Sequence, residues 1–290
     1  MKKHIQVATV AVMAFGSVWA QGPLAPSTPP MPTMKTLHQI EPRTPIESLP
    51  YDIVQPGSYY VTGPLFSTNH GIRIFSGDVT LDLMGHTITG MNNPNHHGIY
   101  VVANDVISFR NIVIRNGGVS EFGHGVFMQN VAGGAIRDMA VSQNAGIGIW
   151  IFSTNNMVCR SIIVENNTIT DNGGNGITVS TVGLTTEVNH SHVIRNNTVS
   201  GNGISGIIVG FARGVLVEGN VVGPQVGGTN DTYGLRGISG RNLFVRNLEY
   251  GNSNGYSFVS TADTFGPVVN VGGNLASTGT ANHAWANFSR

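Results

Sequence analysis

The sequence has very little charge and almost no cysteine. Only 10% of its 290 residues are Asp, Glu, Lys or Arg, and 15 basic residues balance 15 acidic ones. Without a basic stripe the chain lacks the electrostatic signature of a nucleic-acid-binding protein, so no nucleic acid partner is expected. Cys159 is the single cysteine, which excludes a disulfide within the chain. Burial beside the following strand is the expected role of this thiol.

Long apolar runs are absent except at the N-terminus. There two lysines precede an apolar run over residues 5–18, and Ala20 follows it. This order is typical of a secretory signal, so we expect residues 1–20 to be a signal peptide and the protein to be secreted, periplasmic or on the cell surface. A membrane anchor, the alternative, needs about 20 apolar residues. No membrane span is therefore expected after cleavage.

Proline is concentrated in one segment, because eight of the thirteen prolines lie in residues 22–50. Proline fixes φ and removes a backbone donor, which favours an extended spacer over a packed fold. Residues 21–50 are therefore predicted to be a linker. Residues 51–290 are predicted to form one folded domain, rich in Gly, Asn, Ser and Thr.

Helical periodicity is also missing, and a repeat takes its place. The sequences NNTITDNG and NNTVSGNG begin at residues 166 and 196, and each leads to a glycine and an alternating apolar run. Fixed-offset repeats of this length mark stacked structural units. Alternating apolar runs separated by Asn and Gly predict short strands and turns. Each unit is therefore expected to be one rung of a parallel β-helix of about eight rungs.

In most rungs an amide residue follows the second strand, and these residues allow the rungs to be aligned in the sequence. Stacked rungs place equivalent side chains above each other, so an asparagine ladder is expected at this corner. The preceding column partly alternates in charge, which favours one register. The amide column is predicted to be Asn111, Asp138, Asn166, Asn196, Gly219 and Asn247. The charged column is predicted to be Arg110, Arg137, Glu165, Arg195, Glu218 and Arg246.

One further stretch has a familiar form. Residues 79–90 read VTLDLMGHTITG and follow a QPGSYY turn at residues 55–60. They resemble the opening of secreted bacterial right-handed parallel β-helix proteins of the pectate-lyase-like superfamily, over roughly residues 50–275. The resemblance implies an all-β, right-handed parallel β-helix with N-terminal capping strands. It also implies polysaccharide as the ligand class and a groove along the first-strand sheet.

Strand alternation identifies the residues that face outward on the first strand of each rung. Tyr100, Phe127 and Trp150 fall on this face in successive rungs, and Arg236 follows further along. Aromatic faces stack on sugar rings, and Arg236 or Arg213 would bind a substrate carboxylate. Tyr100, Phe127, Trp150 and Arg236 are therefore the predicted substrate-binding residues. The alternative is that a loop, the proline-rich arm or a second subunit covers the aromatics. Only the second subunit would make the protein a homo-oligomer.

Polar residues flank this face on turns and loops, where functional groups concentrate. Glu121 and His124 enter the rung of Phe127, and His190 lies on a long insertion over residues 181–192. These three are the predicted catalytic acids or bases of a polysaccharide lyase or glycoside hydrolase. The alternative is that they are solvated polar groups of the loops.

No metal or other cofactor is predicted. Neither the adjacent His96 and His97 nor the pair His190 and His192 has a third ligand at a telling spacing. Calcium needs a carboxylate cluster, and the acids of this sequence are scattered. The predicted function is binding or processing of an extracellular polysaccharide. The alternative is a non-catalytic structural, surface or oligomeric adhesion protein on the same scaffold.

Overall fold

The computed structural model describes residues 43–103, 108–154, 157, 159–181, 189–226, 232–238, 240–270 and 283–290. Within these residues the regular structure consists of β-strands, which pair in parallel in two sheets. The right-handed parallel β-helix predicted from the sequence is confirmed. No helix in this part of the chain is long and apolar enough to cross a membrane.

Among the described residues the first sheet contains the first strand of each rung, and its nine strands agree with the prediction of about eight rungs. They are β2 (Tyr51–Ile53), β5 (Ile72–Ile74), β8 (His97–Val102), β10 (His124–Gln129), β12 (Ile149–Ser153), β15 (Ile177–Thr181), β19 (Ile207–Val209), β23 (Tyr233–Gly237) and β26 (Asn254–Phe258).

The second sheet has twenty strands, which form the rest of each rung. They are β1 (Arg43–Ile46), β3 (Gly57–Val61), β4 (Leu65–Phe66), β6 (Val79–Asp82), β7 (Thr87–Thr89), β9 (Phe109–Ser120), β11 (Val131–Ser142), β13 (Arg160–Glu165), β14 (Thr168–Thr170), β16 (Asn189–His190), β17 (Val193–Arg195), β18 (Thr198–Ser200), β20 (Ala212–Arg213), β21 (Leu216–Glu218), β22 (Val221–Val222), β24 (Leu243–Val245), β25 (Leu248–Glu249), β27 (Thr264–Phe265), β28 (Val268–Asn270) and β29 (Asn287–Ser289).

The N-terminal rung begins earlier than the sequence indicated. Strand β1 lies within the predicted linker, yet it pairs in parallel with β3. Strand β2, predicted to cap the helix, pairs in register with β5 as an ordinary first-sheet strand. Strand β1 forms in spite of Pro45 because it is an edge strand, where a missing backbone N–H is tolerated. The predicted signal peptide lies outside the described residues, as does the linker up to residue 42.

The core is built from aliphatic columns that run along the helix axis. Ile149, Ile177 and Ile207 are Cα partners in successive rungs and are fully buried. Each such side chain contributes roughly 1.5–3 kcal/mol of burial before chain entropy is subtracted. A glycine precedes each of these strands because the rungs approach too closely for a Cβ. An added Cβ at Gly176 would lie 2.5 Å from Val199 Cγ1 and 2.8 Å from Gly206 O.

Buried amides form ladders along the axis, as predicted. Asn167, Asn197 and Asn220 each donate through Nδ2 to Oδ1 of the next amide at 2.9 Å, and the ladder continues through Asn247 to Asn287. Each amide also donates to a backbone carbonyl, as Asn197 does to Val164. A second ladder contains Asn144, Asn172, Asn202, Gln225, Asn252 and Glu249.

The predicted ladder membership was wrong by one residue in most rungs. Asn166 and Asn196 adopt left-handed φ angles of 56° and 54°, and it is the next residue of each rung that turns inward. Asn and Gly are the residues that tolerate this conformation, which is why Gly219 fits the same column. In one rung, that of Arg110 and Asn111, the register was wrong by five, because Arg137 pairs with Arg115 and not with Arg110. Asn247 was predicted correctly as a ladder residue.

The charged column is present at Glu165, Arg195 and Glu218, which are Cα partners in successive rungs. The next partner of Glu218 is Val245 and not Arg246, so the predicted column was wrong by one residue there. Arg195 donates to Glu165 at 2.7 Å, and Arg246 lies 2.8 Å from Glu218 even so. Opposite charges therefore neutralise each other between neighbouring rungs. These pairs are partly exposed, so each is worth about 0.2–1 kcal/mol.

Cys159 is fully buried, as expected, and burial raises the pKa of its thiol to about 12. Because the thiolate is the reactive form, the native protein should not react with a thiol reagent such as Ellman's reagent near neutral pH. In urea one equivalent of thiol should react per chain. Rapid reaction of the native protein would contradict this burial.

Candidate functional site

Three aromatic side chains form a strip on the outer face of the first sheet. Tyr100, Phe127 and Trp150 are Cα partners in successive rungs, as the alternation of the strands predicted. Their ring centroids are 5.6 Å and 5.0 Å apart. The rung spacing of about 4.8 Å therefore sets the spacing of the rings. We call these three residues the aromatic strip.

Access to the strip differs along its length. Phe127 is only 6% exposed, because Tyr100, Trp150 and Phe152 pack around its ring. Tyr100 and Trp150 are half-buried. Phe127 was predicted as an exposed contact residue, and this geometry corrects that expectation. It supports its neighbours, and they offer the accessible ring surface.

Trp150 is held in place by its polar edge. Its Nε1 donates to the hydroxyl of Ser180 in the next rung at 2.8 Å. A buried or half-buried indole that satisfies its N–H in this way keeps one ring orientation. The strip therefore presents a fixed surface at this end.

A column of histidines runs beside the aromatic strip. His70, His97 and His124 each stand directly before a glycine at the N-terminal end of a first-sheet strand, β5, β8 and β10. Each imidazole packs against the aromatic ring of the following rung. The centroid distances are 5.0 Å from His70 to Tyr100, 5.2 Å from His97 to Phe127 and 5.1 Å from His124 to Trp150.

Burial and mutual repulsion keep these imidazoles neutral. Burial, and after it the neighbouring His124, His70 and His96, lower the pKa of His97 to about 3. Burial also lowers the pKa of His124 and of His70. A neutral imidazole has one donor and one acceptor nitrogen. The column therefore offers neutral hydrogen-bonding groups beside the rings.

The backbone selects the form of His124. Its Nδ1 accepts a hydrogen bond from the N–H of Ile147 at 2.8 Å, which places the proton of the neutral ring on Nε2. His124 was predicted as a catalytic residue, and the structure brings it to the Trp150 end of the strip.

Glu121 lies on the same turn as His124, in the left-handed conformation with φ of 58°. Its side chain is half-buried and forms no ion pair with another described residue. The two predicted catalytic residues are therefore on one turn. Their roles stay predictions.

The structure does not bring His190 to this site. It lies on β16 in the second sheet, where its Cα partners are Arg160 and Arg213. Arg236 does belong to the outward column, but Thr178 and Ile208 separate it from Trp150. Arg236 therefore lies three rungs, or about 14 Å, from Trp150 along the axis of the β-helix. Its guanidinium lies 4.5 Å over the ring of Tyr233. Residues 182–188 of the predicted functional insertion lie outside the described residues.

Among the residues that the structure describes, no group of three or more His, Cys, Asp or Glu side chains is arranged to hold a metal ion. The four clustered imidazoles do not form such a group. His96 and His97 pack against His70, at centroid distances of 5.3 Å and 5.4 Å. Ring packing accounts for this cluster.

Comparison with known proteins identifies the fold independently. The family model described as "Right handed beta helix region" matches residues 65–222. No curated protein shows a significant match to the sequence.

Three solved structures with this fold are similar to the chain. The enzymatically active domain of tailspike protein 2 from bacteriophage CBA120 is 15% identical, with a TM-score of 0.52, over 79% of this chain and 43% of that one. The mannuronan C-5 epimerase A-module from Azotobacter vinelandii is 15% identical, with a TM-score of 0.43, over 79% and 76%. The Dettilon tailspike protein is 12% identical, with a TM-score of 0.43, over 85% and 61%. At these identities the likeness shows the fold alone.

Proposed function

This chain belongs to the right-handed β-helix family, and from that premise we propose that it is a secreted protein that binds or processes an extracellular polysaccharide along the aromatic strip. Tyr100 and Trp150 contact the sugar rings and Phe127 supports them. His124 and Glu121 supply the polar groups at the Trp150 end.

The aromatic strip is the observation that carries this proposal. Three rings in successive rungs, at centroid distances of 5.6 Å and 5.0 Å, form a linear array on a rigid sheet. A linear polysaccharide is also an array of ring-sized units, and its apolar faces stack on aromatic rings. A sheet with aromatic rings on its outer face, partly open to water, is typical of a binding surface.

The neutral histidines add chemistry to the same surface. His124 Nε2 carries the proton that the contact from Ile147 leaves there, so it donates to a sugar hydroxyl or glycosidic oxygen. The lowered pKa of His124 makes its neutral form dominant near neutral pH. In a reaction it would act as the proton-exchanging group, with Glu121 as the neighbouring carboxylate.

Replacing Trp150 with alanine tests this function. The change removes the accessible ring and its hydrogen bond to Ser180, so retention on polysaccharide should fall about tenfold. The measurement is affinity gel electrophoresis over a panel of neutral and uronic-acid polysaccharides. Product formation is followed in parallel through reducing ends and the absorbance of unsaturated sugars.

Trp285→Ala is the matched control, because Trp285 is 48% exposed and lies outside the first sheet. Its removal should leave retention unchanged. Equal losses in both variants, or no retention of the native protein on any polysaccharide, would contradict the proposal. The rival function is an oligomeric protein whose subunits meet at the aromatic strip. Light scattering of Trp150→Glu tests it, because such a protein should change from oligomer to monomer in this variant.

A further inference from the structure

A second column of polar side chains lies on the outer face of the second sheet. Arg160, His190 and Arg213 are Cα partners in three successive rungs. The residues that precede them, Cys159, Asn189 and Ala212, are fully buried. The three side chains of the column therefore point outward, and both arginines are exposed. We call these three residues the cationic column.

The backbone repeats one kink behind this column. Ser161, Ser191 and Gly214 follow its three members and have left-handed φ angles of 54°, 58° and 63°. Because the same kink recurs in each rung, the three side chains leave the sheet at equivalent positions. The arrangement is therefore part of the scaffold.

The cationic column contrasts with its neighbour on the same sheet. Arg195 and Glu165 alternate in sign there and form an ion pair of 2.7 Å. In the cationic column two guanidinium groups instead flank an imidazole, two rungs or about 10 Å apart. His190 senses both charges. Burial lowers its pKa first, and Arg160 and Arg213 lower it further. At neutral pH the column thus presents two positive charges and one neutral hydrogen-bonding ring.

No carboxylate within the described part of the chain neutralises this charge. The acids that form ion pairs there have other partners: Asp52 with Arg73, Asp82 with Arg115, Glu165 with Arg195, and Glu218 with Arg246. Like charges held close together on a surface are unfavourable without a counterion. An anionic ligand would supply that counterion.

The geometry indicates the chemical class of the anion. A guanidinium binds a carboxylate through two parallel hydrogen bonds, which favours carboxylates over simple hydroxyls. In a 1,4-linked uronan extended as a two-fold ribbon, every second carboxylate projects to the same side. The two arginines, two rungs apart, match that alternation. The imidazole of His190 lies where the intervening sugar would present its hydroxyls.

We propose that the cationic column is a second binding site, which holds the carboxylates of a uronate-rich polysaccharide while the aromatic strip contacts sugar rings on the first sheet. This inference extends the proposed function, since it names the substrate class. It rests on different residues, however, so the two fail separately.

The test replaces both arginines with glutamine, as R160Q/R213Q, and measures retention on alginate, polygalacturonate and neutral dextran by affinity electrophoresis. The matched control is R195Q/R246Q. It removes the same net charge from the same sheet, at arginines with side chains 45% and 50% exposed that are already paired with Glu165 and Glu218. Thermal unfolding of both variants verifies folding.

Retention of R160Q/R213Q on the two acidic polysaccharides should fall about tenfold. The control should stay within about twofold of the native protein, and dextran should not distinguish the variants. Equal losses in both variants would show that net charge alone binds the polymer and would overturn the inference. So would an unchanged R160Q/R213Q, or native protein that retains neither acidic polymer. If Trp150→Ala loses retention and R160Q/R213Q does not, the proposed function stands without this second site.

Discussion

Asn197→Ala should lower the free energy of unfolding by about 3 kcal/mol or more. Asn197 is 1% exposed, and its Oδ1 accepts from both the backbone N–H and the side chain of Asn167. Its Nδ2 donates to Asn220 and to the carbonyl of Val164. Truncation removes these four hydrogen bonds to the two neighbouring rungs and leaves the buried backbone N–H of Asn167 without its acceptor. The measurement is urea unfolding followed by circular dichroism.

Asn196→Gly is the matched control for this prediction. Asn196 adjoins Asn197 but is exposed, with a left-handed φ of 54° that glycine adopts without strain. Gly219 already occupies the same column one rung later. This variant should change stability by less than about 0.5 kcal/mol. A destabilisation as large as that of Asn197→Ala would contradict the assignment of the ladder to Asn197 and not to Asn196.

Acid should destabilise the protein well before its carboxylates titrate. Burial lowers the pKa of His97 and of His192 to about 3 in the folded protein, from 6.5 for an unperturbed histidine. Above pH 6.5 both states are neutral, so the full stability is present. Between pH 6.5 and 3 the unfolded chain binds protons at these histidines, and the folded protein does not. Stability should therefore fall by about 1.4 kcal/mol per pH unit for each of these histidines.

His192→Asn tests the histidine contribution directly. His192 Nδ1 accepts from the N–H of Ile162, just as Asn242 Oδ1 accepts from the N–H of Val215 in a later rung. Asparagine therefore replaces the acceptor without the titrating group. The variant should match the native protein near pH 7 and lose about 1.4 kcal/mol less per unit between pH 6.5 and 5. Urea midpoints across that range measure the slope, and an unchanged slope would refute the assignment.

The fold and the aromatic strip were predictable because both depend on short-range pattern. The glycine before each first strand sets the phase, and alternation then assigns Tyr100 and Trp150 to the outer face. The register of the amide ladder was harder to predict from the sequence. In the pair Asn166 and Asn167 either residue suits a corner. Only the backbone angle decides that the first adopts the left-handed conformation and the second turns inward.

The missed parts of the site depend on side-chain packing or on loop length. The burial of Phe127 follows from three surrounding rings, which a column of outward residues does not reveal. His70 was overlooked, although the dipeptide His-Gly recurs before three successive first strands and signals its place. Arg160, His190 and Arg213 are separated by unequal loops, so their shared column emerges only from the pairing register.

The amide rows have a direction along the axis of the β-helix. Most of their side chains donate to the amide of the next rung, and at Gln225 the backbone N–H donates instead, to Asn252 Oδ1. Two rows close on an acid: Asn252 donates to Glu249 at 2.8 Å, and Asn242 donates to Asp263 at 3.1 Å. A carboxylate accepts hydrogen bonds but has no hydrogen to donate. Glu249 and Asp263 are both buried, so these two rows end inside the protein and not on a surface that another copy could reach.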